Sequence, residues 1–119
     1  MLQVYTGTGK GKTTAALGVA FRGAGYGLKT TMFSFLKDDP NYGEARAAGV
    51  LPGFVLKQVG RDEFVNFYDP DPIDLQMVRD GWELAKLAIA NHEADIIILD
   101  ELNIVLATNM LPTEEVAEF

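Results

Sequence analysis

A three-layer α/β/α fold with a mainly parallel sheet is predicted by three features of this 119-residue sequence. Strand-like apolar runs alternate with helical patterns, the order that builds parallel strands joined by helical crossovers. The run Ile96-Ile97-Ile98-Leu99 is apolar at every position, as a strand covered on both faces must be. A glycine-rich loop, Thr6-Gly7-Thr8-Gly9-Lys10-Gly11-Lys12-Thr13-Thr14, separates the first apolar run from the first helix.

Each element follows from its residues. Leu2-Gln3-Val4-Tyr5 reads as the opening strand. The alanine-rich segment after the loop predicts a helix from about Lys12 to Gly23 or Ala24, stopped by Gly25-Tyr26-Gly27. Lys29 to Leu36 is rich in β-formers and reads as a mostly buried second strand. Lys37-Asp38-Asp39-Pro40-Asn41 is a polar loop, followed by a short helix over Gly43 to Ala48 that ends at Gly49. Phe54 to Val59 is a third strand closed by Gly60, and Arg61 to Pro72 is an acidic, aromatic loop. Asp71 is a candidate helix cap with Pro72 at the first helical position. Leu75, Val78, Trp82, Ala85 and Ile89 recur at steps of three and four, one buried helix face ending at Asn91-His92. Asp95 to Leu99 is the fourth strand, and Thr113 is placed to cap a last helix.

Composition narrows the chemistry. The length and a hydrophobic content of 48% suit one globular domain over residues 1–119. The absence of cysteine excludes disulfides, thiolate metal sites and cysteine nucleophiles, and a single histidine, His92, argues against a histidine metal site or triad. No apolar run approaches the ~20 residues of a membrane span and the N-terminus has no basic leader, so a cytoplasmic protein without a membrane partner is expected. A net charge of −7 disfavours nucleic acid as a partner.

The loop carries the strongest functional signal. In a strand–loop–helix setting its glycines let backbone N–H groups converge on a polyphosphate, and the helix adds the positive end of its dipole. Thr8, Gly9, Lys10, Gly11, Lys12, Thr13 and Thr14 are the candidate nucleotide-binding residues, with Lys12 and Lys10 as the charges acting in catalysis and Thr13 as a magnesium ligand. This is a P-loop nucleotide-binding domain of the P-loop NTPase-like class. Its glycine spacing departs from the common G-x-x-x-x-G-K-[ST] pattern, with Thr6 where the first glycine belongs. The apolar strand ending in Asp100-Glu101 supplies the second motif. At the carboxyl edge of a parallel sheet these acids fall beside the loop, where they are candidate Mg2+ ligands. Magnesium–ATP is the bound species that the two motifs imply.

Four stretches resemble the phosphate-loop corrinoid (cob(I)alamin / cob(I)yrinic acid a,c-diamide) adenosyltransferases: TGTGKGKTTAALG (Thr6 to Gly18), Gly23-Ala24-Gly25-Tyr26-Gly27, Gly81-Trp82-Glu83-Leu84-Ala85-Lys86 and LDELNIVL (Leu99 to Leu106). The compact G-x-G-K-G-K-T-T loop shares that family's departure from the usual glycine spacing. The resemblance implies transfer of the 5′-deoxyadenosyl group of ATP to Co(I) of a corrinoid, with triphosphate released, and an electron donor that reduces the cobalt. It also implies an aromatic loop at the corrinoid. Phe64 matches that loop if one residue is inserted, Asn66 stands where tryptophan is expected, and Phe67 follows one position late. Phe64 and Phe67 are therefore candidate corrinoid contacts, or anchors of the loop to the core.

Members of the family usually continue beyond the position of Phe119, so the fold is expected to be C-terminally shortened. The strands flanking Leu2 to Tyr5 in the family's arrangement fall in that further segment. Pairing of the exposed edge would then make the protein a homodimer, the alternative being an unstable shortened domain. Two other functions remain open on the motifs alone: a generic Mg-ATP-binding P-loop ATPase or kinase, with Glu101 orienting water, and a non-catalytic ATP- or corrinoid-binding domain.

Overall fold

The computed structural model describes residues 2, 4, 11–35, 43–60 and 71–119. Along them run α1 (Lys12–Gly25), β1 (Thr30–Phe35), α2 (Gly43–Ala48), β2 (Phe54–Val59), α3 (Pro72–Ala90), β3 (Ile96–Asp100), α4 (Leu102–Ala107) and α5 (Thr113–Glu118). The strands form a parallel sheet in the order β2-β1-β3. Thr30 pairs with Phe54 on one side and Ile96 on the other, and Ser34 pairs with Gln58 and Asp100. At the amino end of the sheet the Asp95 carboxylate accepts from the Lys29 backbone N–H at 2.8 Å, tying the starts of β1 and β3 together. Asp95 thus serves as a clamp just outside the strand rather than as its first residue.

The alternation of side chains along each strand sorts the core into two layers. Met32, Phe54, Leu56 and Ile98 face α1 and α2, where they meet Leu17, Ala20, Ala48 and Leu51. Phe33, Phe35, Val59, Ile97 and Leu99 face the other way, against Val78, Trp82, Ala85 and Ala88 of α3, with Val105, Met110 and Leu111 beyond. Helices thus cover both faces of the sheet, and the predicted α/β/α layering is the observed one.

The helix ends obey local chemistry. Gly27 (φ 79°) closes α1 by a Schellman motif in which Leu28 N–H donates to the Gly23 carbonyl and Gly27 N–H to that of Ala24. His92 (φ 51°) and Asn109 (φ 59°) take the same left-handed position after α3 and α4. The lone histidine is therefore a helix terminator. Asp71 caps α3 as expected, its side chain accepting from Ile73 N–H at 3.1 Å ahead of Pro72.

The buried stripe of α3 differs from the predicted one. It runs through Asp74, Val78, Gly81, Trp82, Ala85 and Ala88, while Leu75 is 38% exposed and Ile89 half-buried. Gly81 explains the rotation: a Cβ there would lie 2.3 Å from Val59 Cγ1, so only glycine lets the helix seat this closely on β2. Trp82 is 1% exposed, edge-on to Phe119 at 5.8 Å. Arg79 bridges from α3 to Glu115 of α5. Thr113 is the first residue of α5 rather than its cap; Pro112, in extended conformation, precedes it and offers no side-chain acceptor. The expected opening strand is represented by Leu2 and Val4, which lie outside the sheet at 88% and 74% exposure.

Candidate functional site

The amino end of α1 and the carboxyl end of β3 meet at one point. Gly11, at the N-cap of α1, has φ 106°, a conformation that L side chains rarely adopt. No atom lies within 4 Å of a Cβ built there, so the backbone angle and not crowding demands glycine. From this turn the 14-residue helix projects its first N–H groups and its positive dipole end outward. Lys12 and Thr13 follow, both half-buried, then the exposed Thr14.

Strand parity brings an acid to this helix end. Ile96 faces α1, its Cδ1 lying 2.9 Å from where a Cβ on Gly23 would stand, and Ile98 packs in the α1-side core. Two residues on, Asp100 must share that face. Thr13, Leu17, Ala20 and Gly23 form the matching stripe of α1. The two patterns converge in a hydrogen bond: Thr13 Oγ1 donates to Asp100 Oδ1 at 2.9 Å, although the residues lie far apart in sequence. Asp100 is 8% exposed, so its carboxylate is largely desolvated around this contact.

Glu101 sits at the turn from β3 into α4 with φ 62°, a left-handed conformation uncommon for a non-glycine residue. Its carbonyl accepts from Ile104 and Val105 N–H at 3.1 and 3.3 Å, so α4 begins directly after Asp100. Glu101 is half-buried and follows Asp100 directly, where strand geometry ends.

Of the residues singled out from the sequence, Gly11, Lys12, Thr13 and Thr14 open α1, and Asp100 and Glu101 close β3. Thr8, Gly9, Lys10, Phe64 and Phe67 lie outside the described residues. Arg22 and Arg46 are exposed. Sequence reasoning passed over Ser34, which it placed inside a buried strand. Its position two residues beyond Met32, as the polar member of an apolar run, was the available signal.

The donor set suits magnesium. A threonine hydroxyl and a carboxylate are hard oxygen ligands, and Mg2+ is usually held by one or two carboxylates together with substrate phosphates and water. Among the described residues no group of three or more His, Cys, Asp or Glu side chains is placed to hold a metal.

Fold and site together define a P-loop-like α/β/α domain, with a glycine turn feeding a helix and an acid-ended strand beside it. The family described as ATP:corrinoid adenosyltransferase BtuR/CobO/CobP matches residues 1–119, and the chain belongs to that family. A corrinoid adenosyltransferase of Escherichia coli (strain K12) is 37% identical over 115 residues, covering 97% of this chain and 58% of that protein. The corrinoid adenosyltransferase CobA of Salmonella typhimurium is 35% identical over 113 residues, covering 95% of this chain and 57% of the relative. An uncharacterized protein, all2391, of Nostoc sp. is 36% identical over 128 residues, 98% of this chain but 34% of that protein. The chain thus spans little more than half the length of the enzymes it matches, and a third of the longer relative. Among the described residues no helix is long and apolar enough to cross a membrane.

Proposed function

We propose that the chain binds magnesium–ATP at the α1–β3 junction and takes part in transferring the 5′-deoxyadenosyl group to a Co(I) corrinoid. The observation that carries this reading is the Thr13–Asp100 hydrogen bond, which joins the two motifs in a chain of this family. In the reaction the cobalt electron pair forms a bond to C5′ of ATP. The C5′–O bond breaks, and its electron pair leaves with triphosphate. Negative charge therefore develops on the oxygen leaving C5′, and stabilisation of that charge is what the protein must supply.

Lys12, the backbone N–H groups at the start of α1 and, in the same loop, Lys10 are assigned to that task. Thr13 and Asp100, with Glu101 beside them, would hold magnesium, which when bound neutralises phosphate charge. No general base is needed, because Co(I) has no proton to lose. Phe64 and Phe67 are assigned to the corrinoid side, and the reduced cobalt requires an external electron donor. A homodimer and a cytoplasmic location belong to the same reading.

The test is an anaerobic assay with chemically reduced corrinoid and ATP. Formation of the cobalt–carbon bond with release of intact triphosphate is the expected result. Release of ADP and orthophosphate would instead identify an ATPase in which Glu101 orients water. Saturable ATP binding with no product would identify a binding domain.

A further inference from the structure

The α1-facing side of the sheet changes character along its length. In register across β2, β1 and β3, the rows are Phe54–Thr30–Ile96, then Leu56–Met32–Ile98, then Gln58–Ser34–Asp100. Two largely apolar rows are thus followed, at the carboxyl edge, by a fully polar one. The last row ends in the carboxylate that accepts from Thr13. Its central member, Ser34, is 1% exposed, and its hydroxyl has no hydrogen-bond partner among the described residues. An unpaired buried hydroxyl costs about 1–3 kcal/mol. Here it lies beside Asp100 on the face that carries the site, where a ligand could satisfy it. Among the described residues Thr30 Oγ1 and Trp82 Nε1 are also buried without a partner, but Thr30 lies at the amino end of the sheet, flanked by Phe54 and Ile96, and Trp82 in the α3-side core.

We infer that Ser34 is a further residue of the magnesium–triphosphate site, its hydroxyl hydrogen-bonding a water of the metal's coordination shell beside Asp100. The inference rests on the reading of this junction as a magnesium–nucleotide site. Asp100 and Thr13 act as ligands in that reading, and Ser34 is a positioning residue that orients the shell around them.

The test compares ATP affinity of the whole chain by calorimetry in excess Mg2+ and in EDTA. Wild-type protein should bind ATP more tightly with the metal. Ser34→Ala should weaken the Mg2+ measurement about 10-fold, the scale of residues behind the direct ligands, and leave the EDTA measurement unchanged. The thermal midpoint of ligand-free Ser34→Ala should not fall, since the substitution removes an unsatisfied group. Thr30→Val should leave both affinities unchanged. If Ser34→Ala does not fold, Ser34→Cys, which keeps the size and weakens the donor, should show the same metal-dependent loss. Equal weakening in Mg2+ and EDTA, or no weakening, overturns the role of Ser34 while the site itself stands. A wild-type protein that binds ATP no better with magnesium overturns the site and this inference together.

Discussion

The two faces of the sheet are built for different purposes. On the α3 side Phe33, Phe35, Val59, Val78, Trp82 and Ala85 interlock as an apolar layer, and Gly81 lets the helix approach until one more methyl would collide with Val59. On the α1 side the closed core is smaller, centred on Ala20, Met32 and Phe54. It gives way at the carboxyl edge to Thr13, Asp100 and Ser34, with an unpaired hydroxyl left in place. Most of the largest fully buried side chains lie on the α3 side, whereas the proposed site draws on the α1 side. Stability and chemistry are therefore separable by mutation.

The sharpest way to break the comparison is from the α3 side. Trp82→Ala deletes the largest fully buried side chain and should cost about 3–5 kcal/mol in urea unfolding. The ATP affinity of the fraction that remains folded should stay near wild type. A selective loss of ATP binding in well-folded Trp82→Ala would show that the two faces are not independent.

The reverse experiment is Lys12→Ala, at the head of α1. It should cost at least ~2 kcal/mol of transition-state stabilisation, roughly a thirty-fold loss of kcat/KM for adenosyl transfer. Its unfolding free energy should shift by no more than about 0.5 kcal/mol, as for a side chain outside the core. Wild-type kinetics in this variant would remove the glycine-lysine loop from the catalytic account.

How much of this was legible in the sequence follows the same division. The limits of β2 and α2, the start of α1 and the Asp71-Pro72 start of α3 were all readable, because glycine, proline and capping residues act locally. The placing of Asp100 beside the loop was also readable, because ligand sites gather at the carboxyl ends of parallel strands. The buried stripe of α3 was not, because its true edge is set by Gly81 against Val59. That is a close approach between distant segments which hydrophobic spacing favouring Leu75 and Ile89 does not encode. Nor was α4, a six-residue helix entered through left-handed Glu101 with no capping side chain to announce it. Ser34 was missed because a single hydroxyl in an apolar strand acquires meaning only from its neighbours Gln58 and Asp100 in the sheet.

Gly81→Ala tests that close approach directly. The added methyl overlaps Val59 and should destabilise by about 1–3 kcal/mol, more than helix propensity could return. Val59→Ala opens space for it, so the double variant should be more stable than the sum of the single losses predicts. Simple additivity would mean that the helix shifts as a body, and the glycine would then lose its special place in the comparison.

The smallest expected effect concerns how α3 is started. Asp71 caps Ile73 N–H and places a negative charge at the positive end of a 19-residue helix. Asp71→Ala should cost about 1 kcal/mol, and Asp71→Asn, which keeps the acceptor and loses the charge, should recover most of it. The small loss that remains in Asp71→Asn should shrink as salt is raised, while the gap between the Ala and Asn variants should persist, because a charge–dipole contribution at an exposed helix end is screened whereas the acceptor's hydrogen bond is not. Equal losses in Ala and Asn variants at every salt concentration would mean that charge, not capping geometry, starts the helix that seats the apolar face.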